Sequence, residues 1–300
     1  MDSLVSTEWL AGELGAPDLK VVDASFHLPG DGRDARDEFS EAHIPGATFM
    51  DLAEIVDSDH PVPGMLPPDY KFASRMQALG IGDADRIIVY DNSPHHSGAR
   101  AWWMLRSFGA RRVAILDGGL PKWIAEGRAI ESGQPPPARG HFTAQLDRTA
   151  LADKDHVSAI AGSPAHELVD ARGASRFAGE DPEPRPGVTP GHIPGSKNLP
   201  QGRLFNPDNS WKRGAALAAA FEEAGVDLAK PMVTTCGSGI TAAVLLFGAH
   251  LLGKQDVKLY DGSWAEWGSD PATPKATGPQ ATGPNATGPN ATGPNATGQS

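Results

Sequence analysis

The chain has one cysteine in 300 residues, Cys236, and its neighbours give that thiol something to do. It opens the run Cys236-Gly237-Ser238-Gly239-Ile240-Thr241-Ala242. A strand-like stretch, Met232 to Thr235, comes before it, and a strongly apolar helical pattern runs from Thr241 to Leu252. This order puts the thiol at the C-terminal end of a strand, in a tight loop, at a helix N-terminus. Open α/β sheets bind ligands at that edge. Two glycines let the loop curl so that amide N–H groups point inward, and the helix start adds positive potential. Such a cradle holds an anion and suits a thiolate nucleophile. The plainer alternative is a small buried cysteine that merely precedes a helix. Thr235 on one side and Gly-Ser-Gly on the other weigh against it.

Two reactions fit a cradled thiolate. Phosphate-ester cleavage through a phosphocysteine needs an arginine at the end of the loop to hold the phosphoryl oxygens. Ala242 stands at that place, and the loop has no cation. Sulfur transfer needs no such arginine. The thiolate attacks an electrophilic sulfur, forms a persulfide, and passes the outer sulfur to a thiol or another nucleophile. No metal and no organic cofactor is required. A redox sensor would use the same thiolate, but one cysteine leaves no resolving partner within the chain.

The elements that must position this loop occur twice. Val21-Val22-Asp23-Ala24 returns as Leu168-Val169-Asp170-Ala171, His43-Ile44-Pro45-Gly46 as His192-Ile193-Pro194-Gly195, and Asp117-Gly118-Gly119 as Asp261-Gly262-Ser263. The order is kept and the offset is nearly constant, far beyond the roughly 20–50 residues of a solenoid repeat. The chain therefore reads as a duplicated domain. Buried-strand patterns at Val21-Val22, Ile87 to Tyr90, Val113 to Leu116, Leu168-Val169 and Met232 to Thr235 alternate with helical ones. The helical patterns at Ala99 to Phe108 and Thr241 to Leu252 end at Gly109 and Gly253. This alternation predicts an α/β fold, each half a mostly parallel sheet flanked by helices. The boundaries expected are 1–131, a linker over 132–150 with Pro135-Pro136-Pro137, 151–272, and a disordered tail over 273–300. The tail repeats Ala-Thr-Gly-Pro-Asn and has no large apolar side chain with which to build a core.

Bulk properties narrow the partners. A formal net charge of −11 without a basic patch argues against nucleic acid and anionic membranes. No stretch approaches the roughly 18 apolar residues of a membrane span. The N-terminus lacks the basic and apolar regions of a secretory leader. A lone cysteine points to a reducing compartment, with the cytoplasm as the expected location and a monomer as the expected state.

With these residues in view, the chain resembles the two-domain rhodanese-like sulfurtransferases over about Val5 to Trp267. The resemblance rests on the Cys236 loop, on Arg176-Phe177, Glu183-Pro184-Arg185 and Gly191 to Gly195, and on Asp261 to Trp264 with Glu266-Trp267. It implies that only the second domain is catalytic, with Cys236 as the nucleophile. The counterpart of Cys236 in the first half falls near Asp91, in a loop with no thiol that is expected to wall the site. Members that use thiosulfate carry basic residues after the cysteine. Members that use 3-mercaptopyruvate carry Gly-Ser-Gly, as this chain does at 237–239. The resemblance puts the carboxylate of such a donor on Arg176 and Arg185, where bidentate pairing would hold it. Pairing with Glu180, Asp181 or Glu183 is the alternative use of those arginines. Ser238 and Thr241 can offer hydroxyls to the sulfur or to the donor carbonyl. The implied partners are a small-molecule sulfur donor and a thiol, cyanide or thioredoxin-like acceptor.

Two positions depart from the family. Some members carry an acidic residue and a histidine from the first domain in a relay. Those positions are Ala53 and Gly64 here, with His60 displaced, so no first-domain base is assigned. His43 and His192 recur in both halves, one of which has no thiol, and this predicts a role in the turn. His95-His96 lacks a carboxylate or cysteine at ligand spacing, and no metal is expected there.

Overall fold

The computed structural model of the chain describes residues 1–28, 30–134 and 139–279. The first half runs β1 (Leu4–Val5), α1 (Thr7–Glu13), β2 (Leu19–Asp23), α2 (Ala35–Glu41), β3 (Thr48–Phe49), α3 (Asp69–Ala78), β4 (Arg86–Tyr90), α4 (Gly98–Ser107), β5 (Arg112–Leu116) and α5 (Gly119–Ala125). The second half repeats it: β6 (Leu151–Ala152), α6 (Lys154–Ile160), β7 (Glu167–Asp170), α7 (Ala174–Ala178), β8 (Lys197–Asn198), α8 (Gly214–Glu223), β9 (Met232–Thr235), α9 (Ala242–Leu251), β10 (Val257–Tyr260) and α10 (Ser263–Trp267). The sheet orders match, β1-β5-β4-β2-β3 and β6-β10-β9-β7-β8, and every named pair is parallel. A parallel sheet covered on both faces needs apolar strands rather than alternating ones. Accordingly Ile87 to Tyr90 of β4 and Met232 to Thr235 of β9 are buried throughout. The expected duplication and parallel architecture are what is observed.

Helices α4 and α9 meet at the boundary between the halves, inside one continuous apolar core. Trp102 stands edge-on to Phe247 at 4.8 Å, and Trp211 meets Phe247 from another side at 4.8 Å. Burying so much aromatic surface across the boundary makes the halves one packed body. Gly109 and Gly253 end these helices at φ +104 and +85, the left-handed conformation glycine adopts most cheaply.

Two equivalent aspartates reach across the boundary in opposite directions. Asp117, after β5, accepts the Trp211 backbone N–H at 2.8 Å and the Arg213 guanidinium at 2.8 Å. Asp261, after β10, accepts the Leu66 N–H at 2.7 Å and the Arg100 guanidinium at 2.6 Å. Each half thus fastens a loop of the other.

Two of the expected segments are held by the rest of the fold. The described part of the linker is packed against the first half. Phe142 is buried in the first core, Gly140 donates to Gln77, and Asp147 donates to Ser107. Residues 273–279 are docked rather than disordered. Ala276 and His192 exchange backbone hydrogen bonds at 2.9 and 2.8 Å, Gly278 donates to Ala178, and Trp267 donates to the Pro274 carbonyl. A hydrogen-bonded edge satisfies backbone groups that low hydrophobicity alone would leave to water. The repeat tail from 280 onward lies outside the described residues. Among the described residues, no helix is long and apolar enough to cross a membrane.

Candidate active site

Cys236 directly follows β9, and the loop that carries it leads into α9, in the expected arrangement. Its side chain is buried, at 2% exposure, on the wall of a cavity of about 640 Å³. The sulfur accepts the Ser238 backbone N–H at 3.4 Å. The Cys236 N–H donates to the Ser263 hydroxyl at 3.2 Å, and the Cys236 carbonyl accepts the Trp264 N–H at 2.9 Å. Ser263 holds this position at φ +49 while donating to the Tyr260 carbonyl at 2.8 Å. The Asp261 to Trp264 segment therefore fixes Cys236 through the cysteine's own backbone N–H and carbonyl.

Any side chain at Gly239 would be strained and crowded. Its φ is +79, and a Cβ there would lie 2.9 Å from the Arg100 guanidinium and 3.0 Å from the Asp261 carboxylate. Arg100 reaches from α4, donates to Asp261 at 2.6 Å, and lies over the Trp103 ring at 4.8 Å. It also touches the carbonyls of Gly239 at 3.4 Å and Gly64 at 3.3 Å. The first domain thus braces the active loop from beneath. The Gly64 backbone lies close to the Ser238 carbonyl. A side chain at Gly64 would face the loop, and there is none, so the first-domain relay position stays empty of a histidine. His60 turns back to the Val62 N–H at 3.1 Å.

Gly237, Ser238, Ile240 and Thr241 border the cavity with Arg172, Arg176 and Arg185. Arg176 donates to Glu183 at 2.6 Å and lies against Gly237, where an added Cβ would be 3.2 Å from its Nη2. Its Nε is buried and has no partner among the described residues. Arg185 forms no ion pair there, and its Nη1 is likewise buried and unpartnered. Of the alternative pairings, Arg176 with Glu183 is present, while Asp181 is held by the Ser175 hydroxyl.

Arg172 was not singled out from the sequence. It is 3% exposed, donates to Asp170 at 2.8 Å and Glu183 at 2.9 Å, and lies over the Trp264 ring at 4.7 Å. These carboxylates and the nearby Cys236 sulfur hold its guanidinium in the charged form against the cost of burial. The signal was available: Arg172 follows the repeated Val-Asp-Ala, where the first half has Ser25. His43 and His192 do shape their turns. Their Nδ1 atoms lie 2.7 and 2.8 Å from the Phe39 and Phe177 carbonyls, and each ring stacks on that phenylalanine.

The fold and site define an α/β protein of two tandem domains, with a cysteine-bearing loop on the wall of a cavity in the second. The Rhodanese-like domain matches residues 6–126 and again 153–270, and the chain belongs to that family. It is 43% identical over 271 residues to human 3-mercaptopyruvate sulfurtransferase, covering 88% of this chain and 91% of that one. It is 41% identical over 273 residues to thiosulfate sulfurtransferase of Cricetulus griseus, covering 88% and 91%. The crystal structure of SseA from Escherichia coli, described as a 3-mercaptopyruvate sulfotransferase, superposes with a TM-score of 0.81 at 37% identity, covering 88% of this chain and 99% of that one.

Proposed function

We propose that this protein is an enzyme that moves sulfur from 3-mercaptopyruvate to thiol or cyanide acceptors through a persulfide on Cys236, releasing pyruvate. The observation that carries the reading is the unpartnered buried guanidinium nitrogens of Arg176 and Arg185, beside a loop with no charge of its own. Buried donors of this kind call for an acceptor, and a planar carboxylate matches their geometry. With the carboxylate there, the donor sulfur faces Cys236. The thiolate attacks it, an S–S bond forms, and the C–S bond breaks with its electron pair passing to the pyruvate enolate. The Ser238 N–H and the α9 N-terminus favour the anion left on the cysteine. Ser238 and Thr241 border the space where the carbonyl would lie.

Intact mass after incubation with each donor tests this. A gain of one sulfur, about 32 Da, lost on adding cyanide, is expected. Arg185→Ala raises the mercaptopyruvate KM by about 10-fold or more, and the thiosulfate KM far less. Equal effects would remove the carboxylate assignment. Thiosulfate as the preferred donor is the second reading, favoured by the relative of that name, and a higher kcat/KM with thiosulfate would establish it. The unpaired cysteine supports a reducing compartment, for which we propose the cytoplasm; fractionation tests it.

A further inference from the structure

The first domain contributes a histidine–carboxylate pair to the wall of the catalytic cavity. His95, in the loop after β4, and Asp31, in the loop after β2, both border it. His95 Nε2 lies 3.1 Å from Asp31 Oδ2. Gln201 of the second domain donates to the Pro94 carbonyl at 3.1 Å and ties this loop to the far wall. Among the described residues, His95 is the only imidazole on that wall. The other wall carboxylates are engaged, Glu183 by Arg172 and Arg176, and Asp181 by Ser175.

Resting on the mercaptopyruvate reading above, we propose that His95, oriented by Asp31, carries the proton that this donor must move. The donor's sulfur bears a proton, and pyruvate gains one on its methylene carbon. As Cys236 attacks and the C–S bond breaks to the enolate, the sulfur's proton passes to His95 Nδ1 and from there to carbon. Cysteine thiolate and donor become persulfide anion and pyruvate, with no net proton taken up or released. An imidazole suits this task because it both accepts and donates near neutral pH. The His95 hydrogen bond holds the Asp31 carboxyl below its ordinary range, so an anion faces Nε2 and leaves Nδ1 for exchange. Thiosulfate provides the internal contrast. Its S–S bond breaks, sulfite leaves, and no proton moves.

Single-turnover persulfide formation, followed by intact mass with each donor, is the test. If wild-type protein gains no sulfur from mercaptopyruvate, the donor reading fails before any variant is made. If it does, His95→Ala slows that step by about 100-fold or more, slows the thiosulfate step far less, and regains rate with free imidazole. His95→Gln, which can still hydrogen-bond Asp31, shows the same donor-selective loss and guards against a folding defect. Asp31→Asn shows a smaller one. Equal loss with both donors, or full rate with mercaptopyruvate in His95→Gln, would overturn the assignment.

Discussion

Asp91 and Cys236 occupy the same place in two copies of one fold. Each follows the central strand of its sheet, and each backbone carbonyl accepts an amide from the segment after the next strand, Leu120 at 3.0 Å and Trp264 at 2.9 Å. Each side chain is also held by its own loop. Asp91 accepts the Ser93 and Gly98 N–H groups at 3.0 and 2.9 Å, and Cys236 accepts the Ser238 N–H at 3.4 Å. Gly119 and Ser263, at equivalent positions, share positive φ values of +58 and +49. The anion cradle is therefore a property of the fold, present in both halves. The difference lies in the surroundings. Asp91 borders a smaller hollow of about 240 Å³ that also touches Trp211, and burial pushes its carboxyl up to about 6. Cys236 borders the larger cavity, with Arg172, Arg176 and Arg185 on its wall. The same cradle holds a carboxylate beside the smaller hollow in one half and a thiol beside three arginines in the other.

The sharpest way to break this comparison is to exchange the two side chains. Cys236→Ser is expected to remove sulfur transfer by at least about 10³-fold, the scale set by loss of a covalent nucleophile. Adding Asp91→Cys to it is expected to restore nothing, because the arginines stay in the other half. Any donor-dependent mass gain at residue 91 would show that the cradle alone suffices. Next in size, Arg100→Met leaves Asp261 buried without its cation. Loss of about 3–5 kcal/mol is expected in denaturant unfolding. The equivalent tie, Arg213 to Asp117, has an arginine that is 59% exposed, and Arg213→Ala should cost under about 1 kcal/mol. Similar losses for both would erase the contrast between the loop that is braced and the loop that is not. Gly239→Ala forces a Cβ onto a left-handed residue, and about 10-fold slower persulfide formation is expected with the fold retained. Circular dichroism alongside the mass assay separates these outcomes.

The smallest effect concerns the paired aspartates at the ends of β2 and β7. Asp170 has Arg172, while Asp23 is buried with Ser25 and Tyr90, and burial raises its carboxyl from 3.8 to about 6. The folded state holds that proton up to about pH 6, whereas the unfolded chain gives it up near 3.8. Folding therefore binds protons across that window, and this residue's contribution to stability falls as pH rises through it. Asp23→Asn should flatten that decline and raise Tm at neutral pH with little change near pH 4. A Tm difference that does not depend on pH would count against it.

Much of this was legible in the residues. The strand–Cys–Gly-Ser-Gly–helix run fixed where the thiol sits, because glycine spacing and apolar periodicity are local properties. The recurrence of Val-Asp-Ala, His-Ile-Pro-Gly and Asp-Gly announced two domains, and their copies in a half without a thiol correctly marked His43 and His192 as turn residues. Arg172 was legible only as a departure from the repeat, and Arg100 and the His95–Asp31 pair were not legible. Arg100 is separated from Asp261 by most of the chain, and its neighbours Trp102 and Trp103 describe only an apolar helix.

By itself, then, the sequence determined the duplication, the neutral loop and the place of the thiol at the end of a strand, and it singled out Cys236, Arg176 and Arg185 as candidates. Only the tertiary structure decided that the first half braces the loop through Arg100 and brings His95 to the cavity. Only it showed that residues 273–279 dock rather than trail away. The reason is physical. Local patterns are set by dihedral preferences and burial along one segment, whereas a buried ion pair or a shared cavity wall exists only once packing brings distant segments together.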